Sequence, residues 1–123
     1  MLLEEIRKKY IFNDGNILTF HIDYTEKRVS VEINVRKLIA SQKFSYCRIQ
    51  LEFTKIIWID LFEDFQTDSG YSDITFLKLE NGDFYLSLDP FGNSGMPHAK
   101  DNLVLKSKAL IFVDEIHKIH HVT

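Results

Sequence analysis

The stretch RVSVEINV, residues 28–35, alternates with period two: Val29, Val31, Ile33 and Val35 are apolar, and Arg28, Ser30, Glu32 and Asn34 are polar. Side chains two apart in an extended chain share a face, so these residues read as a strand with one face buried and one face wet. Such a strand needs a cover for its apolar face, from a second sheet, a curled barrel or a helix. Its neighbours repeat the pattern. On the N-terminal side, Leu18, Phe20, Ile22 and Tyr24 alternate with Thr19, His21 and Asp23, and TEK, residues 25–27, reads as a hairpin turn. On the C-terminal side, Cys47, Ile49, Leu51 and Phe53 alternate with Arg48, Gln50, Glu52 and Thr54.

Farther out, residues 74–79 and 84–88 flank ENGD, residues 80–83, and an Asn-Gly turn between strand-like runs is a strong hairpin signal. IIWI, residues 56–59, reads either as the close of the preceding strand or, with Phe62 and Phe65, as part of a helical face. Residues 103–113 form a last apolar-rich run before a polar, His-containing tail. At the start, Leu2 or Leu3, Ile6 and Tyr10 recur at helical spacing, and NDGN, residues 13–16, supplies turn residues that end the helix. The expected fold is mainly β, with α+β as the variant. About six antiparallel strands form a sandwich or half-open barrel with a short N-terminal helix.

The 123 residues are 45% hydrophobic, with ten Phe and five Tyr, enough to give one domain, residues 1–123, a real core. MLLEEIRKKY, residues 1–10, brings acids in before any apolar run forms, so neither a secretory signal nor a membrane anchor is expected there. The longest apolar runs are too short to span a bilayer. A soluble, cytoplasmic protein with no membrane partner is expected.

Charge is unevenly spread. Residues 56–97 hold eight acids against Lys78 alone, a charge of −7, which leaves +4 on the rest of a chain of net −3. Phosphate would be repelled by that segment, so nucleic acid is not the expected partner and a basic protein is.

No catalytic or metal motif stands out, and a non-enzymatic protein with neither cofactor nor metal is expected. Cys47 falls on the apolar face of its strand, with no base beside it to lower its pKa. HKIHH, residues 117–121, would gather His117, His120 and His121 only on a helix, and a solvated tail is the expectation. The acids of residues 60–73 do not match the spacing of a calcium loop. GNSG, residues 92–95, lacks the second spacer of a nucleophile elbow.

Two segments remain as a candidate binding surface. The acids Asp60, Glu63, Asp64, Asp68 and Asp73 interleave with Trp58, Phe62, Phe65, Tyr71 and Phe76, a mix that offers long-range attraction and contact area. The competing reading makes the aromatics core and the acids their wet flank. Residues 91–98 form a loop between strands, in which Gly92, Gly95 and Pro97 forbid strand continuation and Phe91, Met96 and His98 offer contacts. This loop is expected to be mobile. The candidate partner-binding residues are thus Asp60, Glu63, Asp64, Asp68, Tyr71, Asp73, Phe91, Met96 and His98.

The order of signals is ILTFHIDYTEKRVSVEINV, then WIDLFEDF, then FYLSLDPFG, then DNLVLKSKALIF. Over about two thirds of the chain it resembles small bacterial immunity-type proteins of polymorphic toxin systems. The shared pattern, strand, Leu-Asp-Pro, loop, Asp-Asn, strand, transfers no catalytic residue. The resemblance implies a protein that binds and blocks a cognate toxin, and the acidic middle segment would suit a basic, nuclease-like one. A second reading is a small β-barrel or sandwich that lines a cavity with Phe and Tyr and binds an apolar small molecule.

Overall fold

The computed structural model describes residues 1–60 and 71–123, and of Tyr71 and Ser72 the backbone only. The elements run α1 (Leu3–Lys9), β1 (Tyr10–Asp23), β2 (Arg28–Ala40), β3 (Lys43–Asp60), β4 (Tyr71–Ser72), β5 (Thr75–Lys78), β6 (Phe84–Asp89), β7 (Asn102–Val113) and β8 (Ile119–His121). Among the described residues these strands form one antiparallel sheet in the order β4-β1-β2-β3-β7-β6-β5, with β8 added to β7. Six strands have four residues or more; β4 and β8 are short.

Consecutive strands β4 and β5 lie on opposite margins of the sheet, β4 on β1 and β5 on β6. Residues 71–78 therefore link the two margins, and the sheet curls into a half-barrel. Val29, Val31, Ile33 and Val35 all point inward, against Ile49, Leu51, Phe53 and Phe112. Helix α1 closes part of the opening through Leu3 and Ile6, while Leu2 faces outward. Burying each such aliphatic or aromatic side chain contributes about 1.5–3 kcal/mol, so the cover that the alternation of β2 requires comes mainly from the curl of its own sheet.

The hairpins at residues 24–27 and 79–83 form where turn chemistry places them. Asp23 Oδ1 accepts from the amides of Thr25 and Glu26, and Gly82 adopts φ +92. NDGN differs from its expected role. The helix has already ended at Lys9, and these residues sit inside β1 as a bulge: the register with β2 shifts between Ile11 and Asn16, and Asp14 takes φ +59. A Cβ on Gly15 would lie 2.9 Å from the carbonyl oxygen of Phe12 and 3.0 Å from Ile74 Cδ1, so only glycine lets the bulge close against the core.

IIWI resolves in favour of the strand, because β3 continues to Asp60. The helical turn expected after it lies outside the described residues. A register shift between Ile56 and Trp58, next to Lys55 at φ +54, changes which side chains face out. Ile56 packs on the core, whereas Trp58 sits in register with Lys106 and Tyr85 on the outer face.

The C-terminal tail is a correction. It is not a solvated appendage: Ile119–His121 pairs with β7, and Val122 is buried. The reason is one carboxylate. Asp114 accepts from the amides of Ile116 and Lys118 and from His120 Nε2 at 2.9 Å, and His120 stacks on Phe112.

Candidate functional site

Residues 90–101 connect β6 to β7: residues 97–101 lie by Tyr85, Val104 and Lys106, and residues 93–95 lie by Arg7, Tyr10 and Phe12. They are tied down by Asp101, which is only 8% exposed. Its Oδ2 accepts the Tyr85 hydroxyl at 2.6 Å and the His98 amide at 2.9 Å, and its Oδ1 accepts the Phe91 amide at 2.8 Å. Burial alone would push the Asp101 carboxyl up. The bond from Tyr85, the two backbone amides and the nearby His98 outweigh burial and hold it below the usual carboxylate range. The same contact works on Tyr85 in the other direction: burial, then the bonded Asp101 carboxylate, pushes its phenol well above the ordinary value. Tyr85, Leu77 and Val104 form a second, smaller apolar cluster.

The expected mobile loop is thus pinned at both ends to one side chain, with residues 92–97 as the tip between them. Within it the Phe91 and His98 rings stack at 4.4 Å, and Lys100 Nζ lies 5.3 Å from the Phe91 ring centre. The Lys100 amide donates to His98 Nδ1, which leaves Nε2 as the ring's outward nitrogen. Phe91 is 55% exposed and Met96 59%.

The loop meets the end of β3. A groove of about 410 Å³ runs between them, lined among others by Trp58, Asp60, Pro97, His98 and Lys106. Trp58 is 56% exposed. Trp58, Asp60 and His98 therefore line one groove, with Phe91 stacked on His98; Met96 is exposed in the loop tip, whose residues 93–95 border a separate pocket with Arg7, Tyr10 and Phe12.

The other candidates are placed differently. Asp73 is half-buried at the margin of the core. Tyr71 lies in β4, its backbone paired with Asn16, and its side chain is outside the described residues, as are Glu63, Asp64 and Asp68. The aromatics interleaved with those acids divide: Phe76 is core, packed on Phe12 at 4.9 Å, while Trp58 is surface.

Sequence reasoning missed two carboxylates. Asp101 is one; the signal available was an acid immediately before the strand that follows a Gly/Pro loop. Glu115 is the other. It accepts the Tyr10 hydroxyl at 2.5 Å and pairs with Lys37, joining the β7–β8 turn to the inner end of β1 and β2. Burial pushes Glu115 up, but Lys37 and Tyr10 together hold it below its usual range, and the bonded Glu115 raises Lys37. Cys47 is half-buried against the core, and burial pushes its thiol up, away from the reactive thiolate.

Among the described residues no group of three His, Cys, Asp or Glu is placed to hold a metal ion, and no helix is long and apolar enough to cross a membrane. No protein-family model, no curated protein and no solved structure matches the chain.

Proposed function

We propose that this chain is a non-enzymatic binding protein that docks a basic protein partner on the face formed by Trp58, Asp60, Phe91, Met96 and His98. In the sequence, residues 63–73 carry Glu63, Asp64, Asp68 and Asp73 and no base. The observation that carries the reading is Trp58: a Trp more than half exposed on a sheet strand, beside a loop in which Asp101 holds the backbone of the exposed Phe91 and of His98. Large aromatic side chains on rigid supports are the residues that anchor protein interfaces, and they lose little conformational freedom on binding. The charge of −7 over residues 56–97 selects for a basic partner and speeds its approach.

A cognate toxin domain with a basic, nuclease-like surface is the partner class that fits, which makes the protein an immunity protein acting in the cytoplasm. Support for a non-enzymatic role comes from what the polar groups already do. Asp101, Asp114 and Glu115 are each bound to several structural partners, and the one thiol is held protonated. Packing weighs against the apolar-ligand reading: Phe12 lies on Phe76 and Tyr10 lies edge-on to Phe112 at 5.3 Å, and the opening of about 250 Å³ that Tyr10, Phe12 and Phe76 border is shared with the polar Arg7, Asn13, Asn93 and Ser94.

The test is capture from a lysate of the native host on immobilised protein, beside a Trp58→Ser/Phe91→Ser variant. Retention of a basic protein by the native chain and its loss with the variant supports the reading. A bound small molecule with no protein, or equal retention by both chains, contradicts it.

A further inference from the structure

The groove beside Trp58 is fitted to one kind of side chain. At the end of β3, Trp58 is in register with Lys106 and Asp60 with Val104, while Ile59 between them is set opposite Leu105 of the core. Trp58 and Asp60 therefore share the outer face, about 7 Å apart along the strand. Both line the groove and both are exposed. Among the described residues the Asp60 side chain forms no hydrogen bond or ion pair, so its carboxylate is open to a ligand. The other charged groups of the groove are engaged elsewhere. Asp101 is taken up by Tyr85 and the two loop amides. Lys106 places its ammonium 5.9 Å from the centre of the Tyr85 ring, on the far side of β7 from Trp58. Pro97 and His98 form the opposite wall, and since His98 Nδ1 accepts the Lys100 amide, the neutral ring carries its proton on the outward Nε2.

We propose that this groove holds a single arginine side chain of the partner, its guanidinium stacked on the Trp58 indole and its N–H groups on the Asp60 carboxylate. The inference rests on the reading of this face as a docking surface for a basic protein, and names what that surface recognises. Two features select arginine over lysine. A flat guanidinium can lie on an indole and still direct N–H donors sideways to a carboxylate farther along the same face, whereas an ammonium is a compact, strongly hydrated point charge that meets one or the other. The indole also shields one side of the ion pair from water, which strengthens a contact that would be weak on an open surface. On the opposite wall His98 Nε2–H offers a donor to a backbone carbonyl of the segment that carries the arginine. Trp and Arg are the residues that most often carry the binding energy of an interface, and here one of them waits for the other.

The chain contains one Trp, so indole emission reports on this groove alone. The test is titration of the purified chain with N-acetylarginine amide and, separately, with N-acetyllysine amide, two probes of equal charge, at constant ionic strength. The arginine probe is expected to change the emission saturably and to bind about fivefold or more tighter than the lysine probe. Asp60→Asn should weaken the arginine probe by about fivefold or more while leaving thermal unfolding unchanged, since the side chain is exposed and bonded to nothing among the described residues. Equal responses to the two probes, no saturable response to arginine up to ~100 mM, or binding indifferent to Asp60→Asn would each overturn the proposal. Its failure is distinct from failure of the docking face. Capture of a basic protein together with equal responses to the two probes leaves the face standing and removes the arginine slot; a clear preference for arginine with no basic protein captured does the reverse.

Discussion

Asp101 receives the Tyr85 hydroxyl at 2.6 Å from beneath the loop whose first and last amides it also holds. One buried carboxylate thus gives a Gly- and Pro-containing segment a fixed platform at its two ends, Phe91 and His98. Replacing Asp101 by Ala strands a buried phenol and two amides, and should cost about 2–4 kcal/mol in urea unfolding. Tyr85→Phe, which removes one bond and keeps the ring, should cost about 1–2 kcal/mol. A loss under ~0.5 kcal/mol for Asp101→Ala would mean that the loop is held by other contacts.

Acid should loosen the same platform. Asp101, Asp114 and Glu115 all have folded-state pKa values below their ordinary ones. The stability each contributes is fully present above the unfolded value, near about 4, and is lost as pH falls through the lower folded value. Urea midpoints should therefore change little through these groups from about pH 6 to about pH 8 and drop below about pH 4. Asp101→Asn should flatten part of that acid limb, and an unchanged limb would show that Asp101 does not contribute to it.

Gly15→Ala should destabilise by about 1–3 kcal/mol, because the new methyl meets the backbone oxygen of Phe12 at 2.9 Å and cannot displace it as it would a flexible side chain. Unfolding midpoints measure this directly. A neutral result would mean that the β1 bulge relaxes freely.

How much of this could be read beforehand depended on the range of the cause. The alternation of Val29 to Val35 and the Asn-Gly turn at residues 81–82 are local signals, and both gave correct elements. NDGN was misread because Asp-Gly chemistry serves a helix stop and a strand bulge equally well, and the choice is made by β2, some twenty residues on. The tail was misread for a similar reason: His120 is ordered by Asp114 and Phe112, contacts that exist only once β7 is in place. Trp58 and Phe76 look alike as aromatics in an acidic stretch. The β3 bulge beside Lys55 sends one outward, and the curl of the sheet draws the other in. Asp101 was overlooked because its partners Tyr85 and Phe91 lie across the loop, beyond any short motif.

Phe91→Ser with Met96→Ser should leave the unfolding midpoint within about 0.5–1 kcal/mol of native, since both side chains are more than half exposed. The same pair of changes should weaken a partner complex by about 1–2 kcal/mol or more. A stability loss of several kcal/mol would instead assign the two residues to the packing of the loop.

The most direct measurement of the central claim is the association rate with the captured partner as a function of salt. Docking of a basic protein on a chain whose residues 56–97 carry −7 predicts a rate that falls about tenfold or more between ~0.05 and ~0.5 M salt. It also predicts a slower rate with a much weaker salt dependence when Asp64 and Asp68 are both replaced by Lys. A rate indifferent to salt, or unchanged by those charge reversals, would contradict a partner chosen by that charge.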